Sequence, residues 1–283
     1  MSCPICNDTR WKTVGADGIE SVVRCDCWRE DLAARLMREA RIPPRFVRSE
    51  LETFEPDTDS QREALRKARA FVDLFPVTEK GLLFHGPYGV GKTHLAVAIL
   101  KAVIRKCGAK GYFFETPELL RQVRNTYNNS VDETEMGVLG PVLKAELLVL
   151  DDLGTEKTSE WVQETLGLVV NTRYNARRPT IFTSNLRDPL DTTDPNSFMF
   201  QIGARTRSRL REMCDWVEIQ AADIRDVDRH TAAAQRGEWP APPDNIKKGG
   251  LPDKTRGRAR AGLRDTSDRP PVDLKWSGGK AGS

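Results

Sequence analysis

The sequence predicts an α/β domain with a mainly parallel sheet between about residues 61 and 225. Strand-like and helix-like stretches alternate through this part of the chain, which is the pattern of parallel strands joined by helices. The run from Leu147 to Leu150 is apolar at every position, as expected of a strand that helices cover on both faces. A glycine-rich turn at residues 86–91 separates the first strand from the helix that follows it.

The elements of this domain are assigned in chain order from their hydrophobic periodicity. The predicted strands are residues 81–85, 111–114, 147–150, 180–183 and 216–219. The predicted helices are residues 61–74, 92–106, 117–128, 159–176 and 204–213. Cys107 and Cys214 stand apart from the other cysteines, so we expect both in the core.

The N-terminal residues are predicted to form a small module of their own. Two strand-like runs, at residues 11–14 and 19–23, are joined by a turn whose Asp-Gly pair favours a hairpin. A helix is predicted over residues 28–40, and two prolines end it. The predicted boundaries are a module at residues 1–42, a linker at 43–60, the α/β domain at 61–225 and a flexible tail at 226–283.

The composition excludes membrane and secreted classes of protein. Among the 283 residues, no window approaches 18 uncharged apolar residues, and the chain begins without a basic stretch followed by an apolar run. Six cysteines without a secretory signal indicate a reducing compartment. We therefore expect a cytoplasmic protein with no membrane partner.

The net charge of +3 is small for this length, but it is unevenly distributed. Residues 236–283 hold 11 Lys and Arg against 6 Asp and Glu, so they carry +5 and the preceding residues carry −2. This stretch also lacks hydrophobic periodicity and is rich in glycine and proline, which predicts disorder. We hypothesise that such a basic tail holds DNA weakly.

A phosphate-binding loop is predicted between the first strand and its helix. The pattern G-x-x-x-x-G-K-T is the one in which backbone N–H groups and a helix N-terminus face phosphates. Lys92 is expected to reach the β- and γ-phosphates of ATP, and the Thr93 hydroxyl to hold Mg²⁺. The other interpretation is an accidental glycine-rich turn. The residues of the pattern are Gly86, Pro87, Tyr88, Gly89, Val90, Gly91, Lys92 and Thr93.

Polar residues at the ends of two later strands complete a predicted hydrolytic site. Asp151 and Asp152 follow a buried run, so they face the same edge of the sheet as the phosphate loop. Asp151 is expected to organise Mg²⁺ and Asp152 to orient or activate the attacking water. Asn185 ends the next strand and is a candidate sensor of that water or of the γ-phosphate. A solvated acidic turn and an ordinary strand end are the alternatives.

Four arginines fall within seven residues, from Arg205 to Arg211. A guanidinium is always charged and presents a planar fork of donors, which suits it to clamp a transferring phosphoryl group. The cationic lid of a nucleoside kinase and a solvated helix face are the other interpretations.

Cys3, Cys6, Cys25 and Cys27 form the second predicted site. The 18 residues between Cys6 and Cys25 are within the range of four-cysteine zinc sites, although the second pair is one residue shorter than usual. Zn²⁺ is the preferred interpretation, and a redox pair or unligated cysteines remain open.

Contact with nucleic acid is less clear from the sequence. Arg121 and Arg124 share one face of a predicted helix, and Asn125, Asn128 and Asn129 follow. Such a surface suits a phosphate backbone, but a solvated helix face explains it equally well.

Taken together, the residues from about 25 to 225 resemble the helicase-loader and transposition-helper group of AAA+ ATPases. The group comprises the bacterial and phage replicative helicase loaders and the IstB-like proteins. The motifs that carry the resemblance are Ile42-Pro43-Pro44-Arg45-Phe46, Gly91-Lys92-Thr93-His94-Leu95, Leu150-Asp151-Asp152-Leu153-Gly154, Asn171-x-Arg173-Tyr174, Thr183-Ser184-Asn185 and Ser208-Arg209-Leu210.

The resemblance implies an AAA+ core with sheet order 5-1-4-3-2 that binds ATP, with His94 among the nucleotide neighbours. It implies a homo-oligomer with ATP at the subunit interfaces. Arg209 would then be the arginine finger inserted into a neighbour's site, with Arg205 as the reserve candidate. Two departures are Asp152 where AAA+ proteins usually have glutamate, and no predicted helical lid after residue 220.

The function implied by the resemblance is ATP-dependent loading of a replicative DNA helicase onto single-stranded DNA, with the zinc module contacting the helicase. A transposition helper that binds DNA and recruits a transposase is the alternative in the same class. A small-molecule kinase and a binding module with a vestigial ATPase are the alternatives from other classes.

Overall fold

A computed structural model describes residues 3–7, 9, 11–16, 19–127, 134–186, 188, 194 and 197–224. The predicted tail at 226–283 lies outside these residues, as do Asn128 and Asn129. Within the described ranges, no helix combines the length and the apolar character that crossing a membrane requires.

The N-terminal residues form an antiparallel hairpin followed by a helix. Strands β1 (Trp11–Ala16) and β2 (Ile19–Arg24) pair with Trp11 opposite Arg24, and helix α1 (Cys27–Glu39) begins three residues later. Lys12 Nζ lies 2.5 Å from Asp26 Oδ2, which ties β1 to the residue before α1. The hairpin therefore places Cys25 and Cys27 beside the N-terminal residues.

The central sheet has five parallel strands. In chain order they are β3 (Gly81–His85), β4 (Gly111–Glu115), β5 (Leu147–Asp151), β6 (Thr180–Ser184) and β7 (Cys214–Glu218). Their order across the sheet is β4-β5-β6-β3-β7, and every neighbouring pair is parallel. Numbered within this sheet alone, that is the predicted order 5-1-4-3-2, which is confirmed.

Helices cover both faces of the sheet. They are α2 (Asp59–Leu74), α3 (Lys92–Cys107), α4 (Thr116–Asn125), α5 (Glu135–Lys144), α6 (Glu160–Asn175), α7 (Phe198–Ile202) and α8 (Ala204–Met213). Leu147 and Val149 point to the face that holds α1, α2 and α3, while Leu148 and Leu150 point to the face that holds α4 to α8. This alternation explains why the whole of β5 is apolar.

Three sequence assignments need correction. Helices α5 and α7 were not predicted from the sequence. Helix α5 contains the weak helix formers Gly137, Gly140 and Pro141, and α7 has only five residues, too few for a clear periodicity. Strand β7 begins at Cys214 rather than at residue 216. Cys107 is exposed because it is the last residue of α3, whereas Cys214 is buried as expected.

The segment at residues 43–60, predicted as a linker, lies against the α/β domain. Leu51 and Phe54 are buried in the same apolar cluster as α2 and α3. Lys101 of α3 is also buried, and its Nζ donates hydrogen bonds to the carbonyl oxygens of Val47 at 2.6 Å and Ser49 at 3.0 Å. These contacts fix the segment to the helix that starts at the phosphate loop.

Arg173 of α6 is fully buried at the start of β6. Its guanidinium donates to Thr180 Oγ1 at 2.7 Å and to the carbonyl oxygens of Val142, Ala145 and Pro179 at 2.8–2.9 Å. Burial lowers the pKa of this guanidinium to about 9. The arginine of the Asn-x-Arg-Tyr motif therefore joins α5, α6 and β6 rather than acting at the nucleotide site.

Candidate nucleotide, metal and nucleic-acid sites

The phosphate loop connects β3 to α3 and depends on its glycines. Gly89 and Gly91 have φ of +74° and +95°, values that L side chains rarely adopt. A Cβ at Gly91 would stand 2.5 Å from the Phe54 ring, and one at Gly89 would overlap the Asp223 carboxylate. The loop therefore needs glycine for its backbone conformation and for the close approach of neighbouring segments.

Lys92 is buried inside the curl of this loop. Its Nζ donates hydrogen bonds to the carbonyl oxygens of Gly86 at 2.9 Å and Pro87 at 2.5 Å. The ammonium group thus lies among the backbone groups that are expected to surround a phosphate.

Asp151 is the centre of a hydrogen-bond network beneath the loop. Its Oδ1 accepts from Thr93 Oγ1 at 2.8 Å and from Thr183 Oγ1 at 2.6 Å, and its backbone carbonyl accepts from Thr116 Oγ1 at 2.8 Å. Its Oδ2 is buried and has no hydrogen-bond partner among the described residues. Burial raises the pKa of the Asp151 carboxyl to about 6.

The orphaned Oδ2 supports the predicted Mg²⁺ site. A buried carboxylate oxygen without a partner is costly, and a hydrated divalent cation would satisfy it. Thr93 and Asp151, the two residues predicted to hold Mg²⁺, are in direct contact. The residues present therefore fit the ion.

Asp152 and Asn185 meet at the carboxyl edge of the sheet. Asp152 has a left-handed backbone, with φ of +55°, and its N–H donates to Thr183 Oγ1 at 2.9 Å. Asn185 Nδ2 lies 3.4 Å from Asp152 Oδ1, a weak hydrogen bond. Thr183 thus positions both Asp151 and Asp152. The Thr-Ser-Asn pattern alone does not predict this role, because it depends on β5 and β6 being neighbours in the sheet.

Lys92, Thr93, Asp152 and Asn185 line one cleft of about 440 Å³, within the size range of small-ligand sites. His94 also lines it, and its Nε2 lies 2.9 Å from the Glu50 carbonyl oxygen. Three lining residues were not assigned to this site from the sequence, although two of them belong to the motif at residues 42–46 that carries the family resemblance. They are Arg45, Phe46 and Ile224.

The four arginines of α8 do not act as one group. Arg207 and Arg211 both pair with Asp188, and the Arg207 contact is 2.5 Å. Arg205 is exposed, while Arg209 is half-buried with its guanidinium 6.0 Å from the centre of the Tyr174 ring. Only Arg205 and Arg209 therefore remain as candidates for an arginine finger.

The four N-terminal cysteines converge, with all Sγ atoms within 4.8 Å of one another. The Sγ atoms of Cys3 and Cys25 are 3.8 Å apart, and those of Cys6 and Cys27 are 3.4 Å apart. Tetrahedral zinc with Zn–S bonds of about 2.3 Å separates its sulfurs by about 3.8 Å. None of the four cysteines forms a disulfide, so each offers a sulfur ligand. The donor set fits Zn²⁺.

A basic and aromatic groove lies between α4 and the start of α6. The Arg124 guanidinium lies 4.7 Å from the centre of the Trp161 ring, and Tyr127 meets the same ring edge-on at 6.4 Å. Arg121 and Lys157 also line the groove. Helix α4 follows β4 in the chain and α6 follows β5, so both helices start near the carboxyl edge of the sheet. That edge also carries the nucleotide cleft.

Comparison with known proteins gives a family. A family model described as IstB-like ATP binding protein matches residues 19–230. The replicative helicase loader DnaC of Escherichia coli (strain K12) is 27% identical over 160 residues, which is 56% of this chain. The chain spans only 64% of that relative's length.

Solved structures agree with this assignment. A crystal structure of the DnaC helicase loader matches with a TM-score of 0.57 and 37% identity, covering 63% of this chain and 100% of that one. A structure of DnaI matches with a TM-score of 0.55 and 29% identity, covering 64% of this chain and 95% of that one.

Proposed function

The chain belongs to the family of IstB-like ATP binding proteins, and from this we propose that it is an ATP-dependent loader of a replicative DNA helicase onto single-stranded DNA. One observation carries the proposal. All of the solved structure of the DnaC helicase loader is covered by this chain, at 37% identity. A loader of this kind would act in the cytoplasm, as the sequence predicts.

ATP hydrolysis is the chemistry that the cleft supports. The phosphate loop and Lys92 would bind the phosphates, and Thr93 and Asp151 would hold Mg²⁺, which neutralises developing charge on them. Asp152, with Asn185 beside it, would orient the attacking water. Arg209 would complete the site of a neighbouring subunit, so that nucleotide binding and hydrolysis switch an oligomer.

The zinc module is the proposed contact for the helicase. Ile5, Trp11, Val14 and Val22 are large apolar residues that remain exposed on this small module. Several exposed apolar side chains on one small module are typical of a protein interaction surface. Trp11 and Val22 lie on the same face of the hairpin. Val22 pairs with Thr13, and Thr13 and Trp11 are two residues apart on β1, so their side chains point the same way.

Capture of the helicase tests this proposal. We expect the full-length, zinc-loaded chain to retain the replicative helicase of its source organism on a column. Val22→Glu should reduce that retention roughly tenfold or more, because a charge would enter an apolar contact. Val77→Glu is the matched control, since Val77 is also an exposed valine but lies outside the module. Failure of the wild-type chain to retain the helicase would contradict the proposal.

The groove beside Trp161 supports contact with single-stranded DNA, because stacking platforms next to cations are the usual means of holding single strands. We expect Trp161→Ala to weaken binding of a single-stranded oligonucleotide about 5- to 100-fold, and Trp161→Phe to retain most of it. Arg124→Ala should also reduce the salt dependence of binding. Phe200→Ala, at an exposed aromatic residue elsewhere, is the control. Equal losses for Phe200→Ala and Trp161→Ala would contradict the assignment of the groove.

A transposition helper remains the second candidate, because the matching family model is the IstB-like one. This candidate replaces the helicase with a transposase and single-stranded DNA with duplex DNA. Retention of a transposase but not of the helicase in the same capture experiment would favour it.

A further inference from the structure

Arg45 lies at the mouth of the nucleotide cleft, although the phosphate-loop and acidic motifs do not include it. It lines the cleft together with Lys92, Thr93, Asp152 and Asn185. It reaches this position from a segment more than 40 residues before the phosphate loop. A cation at this place faces the groups predicted to bind and hydrolyse ATP.

The segment that carries Arg45 is firmly held. Arg45 belongs to a 3₁₀ helix (Pro44–Phe46), and its guanidinium lies 4.6 Å from the centre of the Phe46 ring. The Phe46 ring in turn packs against Phe113 of β4, with 6.3 Å between ring centres. The next residue, Val47, accepts a hydrogen bond from Lys101 of α3. The backbone at Arg45 is therefore fixed relative to the helix that begins at the phosphate loop, whereas its exposed side chain can change partner.

The partner of Arg45 places it at the hydrolytic end of the cleft. Arg45 Nη2 lies 2.8 Å from Oε1 of Glu115, the last residue of β4. Glu115 is the register partner of Asp151 on β5, so Arg45 stands next to the strand ends that carry the catalytic acids. A terminal phosphate bound at these strand ends would present charged oxygens to which the Arg45 guanidinium could donate.

The pair between Arg45 and Glu115 is open to water. The exposed fractions of the two side chains are 61% and 40%. An ion pair in this setting is screened and contributes little to stability, so its exchange for a stronger anion is easy. A phosphate carries more charge than a carboxylate and accepts the two parallel N–H donors of an arginine.

We propose that Arg45 contacts the terminal phosphate of bound ATP within its own subunit, and that Glu115 holds its guanidinium at the mouth of the cleft until that phosphate is present. This rests on the proposed ATPase function. The segment that carries Arg45 directly follows α1 and the zinc module in the chain. A change of partner at Arg45 would therefore couple the N-terminal residues to whether ATP or ADP is bound.

The test is a comparison of affinities for ADP and for a non-hydrolysable ATP analogue, measured on the full chain with Mg²⁺. Arg45→Ala should weaken binding of the analogue roughly 10- to 100-fold and leave ADP affinity within about twofold. Arg45→Lys should recover part of the loss, because it keeps the charge but not the fork. Arg48→Ala, at an exposed arginine of the same segment, should change neither affinity.

Glu115→Gln supplies the second arm. It should strengthen binding of the analogue when Arg45 is present, and it should have no such effect in the Arg45→Ala background. Equal changes for ADP and the analogue in Arg45→Ala, or an effect of Glu115→Gln that does not depend on Arg45, would overturn the inference while leaving the ATPase proposal intact. A wild-type chain that binds neither nucleotide would overturn both.

Discussion

Lys92→Ala is expected to lower ATP affinity at least about 100-fold and to abolish measurable turnover. Lys92 is buried within the loop, with its ammonium group among the carbonyl oxygens of Gly86 and Pro87. Alanine removes the ammonium group and with it the charged hydrogen bonds that Lys92 is expected to donate to the β- and γ-phosphates. Titration with a fluorescent ATP analogue and release of inorganic phosphate measure the two effects.

The control for Lys92→Ala is Lys106→Ala, which changes an exposed lysine of the same helix. Its Nζ pairs with Asp73 at 2.8 Å, far from the loop, so nucleotide binding should not change. Comparable thermal unfolding midpoints for the two variants would show that the loss is local. Near-normal ATP turnover by Lys92→Ala would remove the assignment of the phosphate loop.

Arg209→Ala is expected to leave ATP binding intact and to slow hydrolysis by about 10³-fold or more. The reason is that an arginine finger acts on the transition state in a neighbouring subunit, not on the bound nucleotide of its own. Within α8, Asp188 already engages Arg207 and Arg211, which leaves Arg209 and Arg205 as candidates. Single-turnover hydrolysis measures the effect.

Mixing separates a finger in trans from a local defect. The Lys92→Ala subunit has lost its own site but keeps Arg209, so adding it to Arg209→Ala should restore hydrolysis. Arg177→Ala, at an exposed arginine that pairs with Glu79, is the control and should hydrolyse ATP normally. If mixing restores nothing, Arg209 does not act in trans, and a loss confined to Arg205→Ala would move the role to Arg205.

Local patterns predicted the sheet and the phosphate loop well. The apolar run of β5 and the glycine spacing before Lys92 are encoded in neighbouring residues, and both strands and loop lie where the sequence indicates. The order of the strands came from family resemblance, and the structure confirms it. The role of Asp151 in holding Mg²⁺ is a prediction from its place at the end of a buried strand. The structure adds its contacts with Thr93 and Thr183.

Long-range contacts account for what the sequence did not predict. Arg45 stands in a motif that carries the family resemblance, but its place in the cleft depends on packing of its segment on β4 and α3. Asp188 pairs with two of the four arginines of α8, but it is about 20 residues away from them in the chain, so the sequence pattern did not predict these pairs. Helix α5 forms despite Pro141 because Val138, Leu139 and Val142 are buried in the apolar cluster that also holds α4 and α6, so tertiary packing outweighs a weak helix propensity.

Helicase loading tests the central claim most directly. The measurement is the amount of replicative helicase bound to closed circular single-stranded DNA, with the full-length chain and ATP present. The account predicts that the wild-type chain with ATP raises this amount well above that of helicase alone, and that Lys92→Ala does not. Equal amounts of bound helicase with the wild-type chain, with Lys92→Ala and with no added chain would contradict it.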